Sequence, residues 1–420
     1  MKHLLIGTFV LMALQHASAQ TLLPVVQENR SIDKDRLTQI DSILKQYVDK
    51  GWLAGAVVLV VKDNRVVYYR GSGYSDLSSK KTMQADAIFR IMSQTKAITS
   101  LGIMQLFEQG KLSLDQNIAD FIPEFKNPKV VKGFNPLDST YTAVAAKRGI
   151  TFRDLLTHTS GIDYAAIGSD TMKAIYAKNG IPSGLGYFNE SLLLKMKALG
   201  ALPLRHNPGE RFTYGLNTDL LGCLIEVISG ESLENYCRKN IFEPLGMKDT
   251  HFNLPASKAN RLATVYTEDA DKKIIEWSPT FRSIDPAYPL MPKTYFSGGA
   301  GLSSTAFDYA IFLQMLLNGG KFNGKQILGR RTVELMLSPQ LPDNFLGYNN
   351  FNLGFQLATK KSANLNLPND GSFSWGGYYG TAYWADPKEK LIGLIMTQHT
   401  PNSHKDYEEK IKNVIYGSLR

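Results

Sequence analysis

The chain has 420 residues, with 47 Lys and Arg against 38 Asp and Glu, a formal net charge of +9, and 43% hydrophobic residues. That is too apolar for a disordered chain, and 35 glycines without a three-residue period are not collagen-like. Two cysteines cannot build a disulfide framework, and the length suggests two or three domains, or one large one.

Residues 1–19 come first. Lys2 and His3 make a basic start, residues 4–14 an apolar core, and Ala17-Ser18-Ala19 a small-residue cleavage site before Gln20. This pattern predicts a secretory signal peptide, cut near Ala19, and hence a periplasmic or secreted protein. The apolar run is too short to span a bilayer, and no later stretch offers the roughly 18 uncharged apolar residues a membrane helix needs. The remaining positive charge is scattered and accompanies no nucleic-acid motif, so no nucleic-acid partner is expected. Cys223 and Cys237 read equally as a disulfide or as two buried thiols.

Residues 54–61 (AGAVVLVV) read as an apolar strand, followed by a polar turn and a second strand, VVYYRGSGY. Near the other end, residues 373–375, 381–385 and 391–397 read as strands, and residues 407–419 as an amphipathic helix. Between these ends the sequence is mostly helical. Thr151-x-x-Asp154 is a capping box, and Thr305-x-x-Asp308 caps a segment with Tyr309, Phe312, Leu313 and Leu316 on one face. The expected fold class is α/β (α+β), with one antiparallel sheet drawn from both chain ends, flanked by helices. Residues 20–115 and 291–420 would form a discontinuous α/β domain around a helical region, 116–290.

Several familiar chemistries are missing. The sequence has no G-x-S-x-G elbow, no H-E-x-x-H and no P-loop. His158, His206, His251, His399 and His404 show no metal-ligand spacing, so no metal and no cofactor are expected. Ser-x-x-Lys recurs along the chain, including at Ser31/Lys34, Ser78/Lys81 and Ser93/Lys96. The first two lie in polar stretches. The third opens residues 93–109, a helix apolar on nearly every side and therefore buried. Residues i and i+3 share a helix face, so the Ser93 hydroxyl and the Lys96 amine can meet. A serine hydroxyl needs an adjacent base to become a nucleophile. A lysine serves only if its pKa falls from about 10.4 towards 7, as burial and the helix N-terminus would favour. A capping Ser beside a snorkelling Lys explains the pair equally well on its own.

The wider sequence resembles the serine β-lactamase and penicillin-binding-protein-like family, in particular its β-lactamase-fold carboxylesterases. The blocks that carry the resemblance are IFRIMSQTK (88–96), ITFRDLLTHTSGI (150–162), PGERFTYGLNTDLLG (208–222), IFEPLGMKDTHF (241–252), FSGGAGLSSTAFDYAIFLQMLLNGG (296–320) and FSWGGYYGTAYWADP (373–387). The resemblance implies Ser93 as nucleophile, Lys96 as general base and Tyr214 as the tyrosine that passes a proton to the leaving group. It also implies an oxyanion hole made by the Ser93 and Tyr378 amides. Gln94, Asn217, Trp375, Gly376, Gly377 and Tyr379 would line the substrate pocket. Ser160 and Ser303 also lie in family motifs and read as structural turns or caps.

Two departures from the family pattern matter. The usual Tyr-x-Asn here reads Tyr214-Gly215-Leu216-Asn217, so Asn217 is one place late for the family's substrate-amide contact. Where lactamases and peptidases carry Lys-Thr/Ser-Gly or His-x-Gly, this chain has Trp375-Gly376-Gly377. A lysine would meet a substrate carboxylate, whereas Trp375 offers an apolar face and one N–H. The expected function is therefore hydrolysis of a small-molecule ester through an acyl-serine. A β-lactamase or D-Ala-D-Ala carboxypeptidase is the alternative, with Lys293 a conceivable replacement cation. A protein that acylates without turnover, acting as a binding or sensor module, ranks below both. Oligomeric state is not legible.

Overall fold

The computed structural model describes residues 31–343 and 345–420. The segment read as a signal peptide lies outside the described residues.

An eight-stranded antiparallel sheet is built from the two ends of the chain. In spatial order its strands are Asn349–Phe351, Gln356–Ala358, Phe373–Gly376, Ala382–Asp386, Leu391–Met396, Gly55–Lys62, Arg65–Asp76 and Lys81–Thr82. The join between the two ends is central, with Val57 opposite Met396 and Leu59 opposite Leu394. Gly55–Lys62 is buried along its whole length, which explains why it is continuously apolar rather than alternating.

Side chains leave a strand on alternate faces. Val57, Leu59 and Val61 enter the larger core, which includes Leu101 and Met104 of the helix Thr95–Glu108 and Phe312 and Leu313 of the helix Ala306–Leu317. Ala56, Val58 and Val60 enter a second core, with Leu44 of the helix Gln39–Asp49 and Ile411 and Ile415 of the helix Tyr407–Gly417. Helices thus cover both faces. The capping box at Thr151/Asp154 and the Thr305 cap form as the sequence implies.

The middle of the chain carries helices Phe152–Leu156, Asp170–Lys178, Leu192–Gly200 and Asn217–Ser229, but also two hairpins. Lys129–Asn135 pairs with Thr140–Ala145, and Tyr266–Glu268 with Ile274–Glu276. Leu220 and Leu224 of the helix Asn217–Ser229 share the larger core with Leu101, so one apolar interior runs through both parts of the chain. Cys223 and Cys237 are both free and buried. No helix among the described residues is long and apolar enough to cross a membrane.

Candidate active site

Ser93 sits in a short 3-10 turn, Met92–Gln94, that runs directly into the helix Thr95–Glu108. Two short strands hold the approach to it, with Phe89 opposite Ser304 and Arg90 opposite Ser303, and the Ile91 amide donates to the Leu302 carbonyl at 3.1 Å. Met92 has φ 47°, a left-handed conformation that costs a non-glycine residue roughly 1–3 kcal/mol. Its fully buried side chain packs with Trp277, Ile284, Tyr288 and Tyr379, which hold the turn in place. The strained turn lifts the Ser93 side chain out of an otherwise buried helix start, leaving it half-buried.

Lys96 lies one turn further on and is 3% exposed. Its Nζ donates to the Gly299 carbonyl at 2.8 Å and lies 3.4 Å from Ser93 Oγ and 3.3 Å from the Tyr164 hydroxyl. It also stands 4.6 Å from the centre of the Tyr214 ring. The expected fall in its pKa does not occur. Burial does drive the ammonium's pKa down, but Tyr164, Tyr214 and Asp219 around it favour the cation, and the net shift is upward.

Tyr214 is half-buried in a wall of rings. Trp375 lies 5.5 Å from it, His158 4.9 Å and Tyr164 5.6 Å, centre to centre. The Trp375 indole N–H donates to the Tyr214 hydroxyl at 3.4 Å. Phe351 backs Trp375 at 5.5 Å, so the edge strand Asn349–Phe351, two places along the sheet, supports the indole. Burial and the nearby Lys96 charge hold His158 well below the usual histidine range, so it is neutral.

The strand Phe373–Gly376 ends against the Ser93 turn. A β-carbon on Gly377 would come within 2.5 Å of the Ile91 carbonyl oxygen and 2.3 Å of Thr381 Oγ1, so only glycine fits there. Beyond it, the Gly377 amide donates to the Thr381 carbonyl and the Gly380 amide to the Gly377 carbonyl. The Tyr378 N–H donates to no group among the described residues. An unpaired amide beside the first-turn amides of a helix is the geometry that holds a developing oxyanion.

Two groups that sequence reasoning left out complete the site. Tyr164 is 1% exposed, with its hydroxyl on Lys96. Asp219 is fully buried, and its Oδ1 accepts from the Tyr295 hydroxyl at 3.3 Å while its Oδ2 has no partner among the described residues. A β-carbon on Gly299 would lie 2.6 Å from Asp219 Oδ2 and 3.3 Å from both Lys96 Nζ and the Tyr164 hydroxyl. The three groups therefore converge on one glycine. Burial pushes the Asp219 pKa up to about 6, and the Lys96 charge acts against that rise.

Several expected pocket residues are placed differently. Asn217 is fully buried. It bonds Ser160 Oγ through Oδ1, and His158 Nδ1 and the Thr213 carbonyl through Nδ2. Its amide is thus committed to joining two loops. Tyr379 is fully buried against Trp277, 5.3 Å away, and serves as packing. Gln94 is also fully buried, and its side-chain amide has no partner among the described residues. Lys293 cannot stand in for the missing cation. Its amine bonds the Phe252 and Tyr288 carbonyls and Asn253 Oδ1, which uses all three of its donors. Trp375, Gly376, Gly377 and Tyr378 remain half-exposed beside Ser93 and Tyr214. Among the described residues, no three His, Cys, Asp or Glu side chains gather as a metal site would require.

The comparisons agree with this geometry. A family model named Beta-lactamase matches residues 40–414. The chain is 34% identical over 377 residues to Protein Rv1367c of Mycobacterium tuberculosis, covering 86% of this chain and 90% of that protein. It is 26% identical to Esterase EstB of Burkholderia gladioli, over 86% of this chain and 89% of the esterase. The solved structure of EstCE1, a hydrolase with promiscuous acyltransferase activity, matches with a TM-score of 0.79 at 27% identity, covering 91% of this chain and 99% of EstCE1. The family model covers most of the chain and the relatives include an esterase and a hydrolase with acyltransferase activity, so the chain belongs to the β-lactamase family of serine hydrolases and acyltransferases.

Proposed function

We propose that the protein hydrolyses carboxylic esters through a covalent acyl-Ser93. Ser93 Oγ attacks the ester carbonyl carbon, and its proton passes to Lys96 and Tyr214. Because its neighbours hold the Lys96 proton tightly, Lys96 acts together with Tyr214, whose ring lies 4.6 Å away, rather than as a free amine base. The Ser93 and Tyr378 amides hold the oxyanion, each donor contributing about 3–4 kcal/mol at the transition state. Tyr214 returns a proton to the departing alkoxide as the C–O bond breaks. Water then attacks the acyl carbon, gives its proton to the same pair, and the acid leaves as Ser93 is restored.

The observation that carries the ester reading is Trp375. It stands where lactamases and peptidases of the family place a cation, and its indole packs on Tyr214. Lys293 has no donor to spare for a substrate carboxylate. The test compares kcat/KM on p-nitrophenyl butyrate with that on a chromogenic cephalosporin. The ester should be the better substrate. A cephalosporin turned over far faster than any ester would favour the lactamase or peptidase reading. Stoichiometric labelling without turnover would favour a sensor. The basic, apolar and small-residue segments of residues 1–19 support export of the protein.

A further inference from the structure

An exposed arginine stands near the Ser93 turn on a different part of the chain. Residues 277–288 form a strap beside the Ser93 turn. Trp277 closes it by donating its indole N–H to the Ile284 carbonyl at 2.9 Å. The underside of the strap, Trp277, Ile284 and Tyr288, packs on Met92 and Tyr379, the residues next to Ser93 and Tyr378. Beneath it, the buried Arg90 donates to the Pro286 carbonyl at 2.5 Å.

At the exposed tip of the strap, Arg282 and Ser283 both have left-handed backbones, with φ 52° and 55°. The same left-handed pair makes the tight Asp63-Asn64 turn between two strands, and here it turns the tip of the strap back on itself. The tip aims the guanidinium at the site, where Arg282 Nη1 donates to the Tyr378 hydroxyl at 2.5 Å. Tyr378 directly follows Gly377, which lies against the Ile91 carbonyl at the start of the Ser93 turn. The cation is therefore one tyrosine side chain away from the group that would hold the carbonyl oxygen. Arg282 is exposed and forms no ion pair with a carboxylate of the described residues. A guanidinium carries five N–H donors, and the phenol uses one.

We infer that Arg282 is a specificity-determining residue that recognises a carboxylate on the substrate, a few bonds from the ester being cleaved. The preferred substrates are then esters bearing an anionic end, rather than simple neutral ones. This rests on the ester-hydrolase reading and narrows it. A charge-assisted guanidinium–carboxylate contact favours the anionic substrate by about 10- to 100-fold. Because Arg282 is exposed, salt should erode that advantage.

The carboxylate could lie on the acyl or the alcohol side, and two substrate pairs separate these. The acyl-side pair is mono-p-nitrophenyl glutarate against p-nitrophenyl pentanoate. The alcohol-side pair is 4-carboxyphenyl butyrate against phenyl butyrate. In one pair the anionic/neutral ratio of kcat/KM should fall at least tenfold in Arg282→Gln and recover in Arg282→Lys, with the wild-type ratio falling as salt rises. A merely structural tie to Tyr378 would lower both members of a pair together, and ratios unmoved in both pairs would overturn the assignment. If the wild type cleaves none of the four esters, it is the ester reading that fails. Calorimetric titration of monomethyl glutarate into Ser93→Ala then decides the Arg282 proposal separately. Binding that disappears in Ser93→Ala/Arg282→Gln supports it, and binding that is absent or unchanged refutes it.

Discussion

Lys96 Nζ and Asp219 Oδ2 meet around Gly299, a buried cation and a buried carboxylate with only a glycine's width between them. A side chain at position 299 would fill the space where they face each other. Asp219 adds to the stronger pull of Tyr164 and Tyr214 that favours the Lys96 cation, and Lys96 limits how far burial raises the Asp219 pKa.

This pair makes stability depend on pH. The Asp219 carboxyl has a pKa of 3.8 when free and about 6 when folded. Between those values the folded state binds more protons than the unfolded one, so stability falls as pH rises from 4 to 6. The cost above pH 6 is on the order of 3 kcal/mol. Asp219→Asn mimics the neutral acid. It should flatten the Tm–pH curve over that interval and raise Tm near neutral pH, while lowering ester turnover because Lys96 loses its anion. Parallel Tm curves for the two proteins would contradict this.

Trp375 holds Tyr214 mainly through packing. The N–H to hydroxyl distance of 3.4 Å is long for a hydrogen bond, while both Tyr214 and Phe351 rest on the indole. Trp375→Phe should therefore lose no more than about threefold in kcat/KM, and Trp375→Ala more than about tenfold. Equal losses in the two variants would assign the effect to the N–H instead.

Gly377 has no room for a methyl group between the Ile91 carbonyl oxygen and Thr381 Oγ1. Gly377→Ala must push the Tyr378 amide away from Ser93. Turnover should fall roughly 100-fold, the loss typical of a missing oxyanion donor. Steady-state kinetics beside a thermal melt checks this, and a variant that melts normally with undiminished kcat would remove Tyr378 from the oxyanion hole.

The proposed export makes a covalent prediction. Expressed in a Gram-negative host, the mature protein should begin at Gln20 by intact mass and N-terminal sequencing. A retained Met1 in the soluble fraction would contradict it.

How much of this was legible follows from sequence separation. Ser93 and Lys96 are three apart where a 3-10 turn runs into a helix, so local helical geometry brings them together. The sheet was legible because a central strand is uniformly apolar and strands cluster at both chain ends. Tyr214 needed the family resemblance, since nothing local to it marks a contact with Lys96. The direction of the Lys96 shift was misjudged for the same reason. Burial can be read from the helix, but Tyr164 and Asp219 approach from 68 and 123 residues away in the chain, along paths only the fold defines. Asn217 and Tyr379 have the composition of pocket residues, yet the first joins two loops and the second fills a core. The hairpin of Lys129–Asn135 and Thr140–Ala145 hid within a stretch read as helical, because its strands are largely exposed and carry little apolar pattern.

The central claim is that Ser93 is the nucleophile. Ser160 and Ser303, the other serines in family motifs, are fully buried, whereas Ser93 is half-buried at the site. A fluorophosphonate probe followed by mass mapping of the labelled peptide tests this directly. Labelling should fall on Ser93 in the wild type and vanish, together with ester turnover, in Ser93→Ala. Undiminished labelling of that variant, or a label mapped to another serine, would contradict the account.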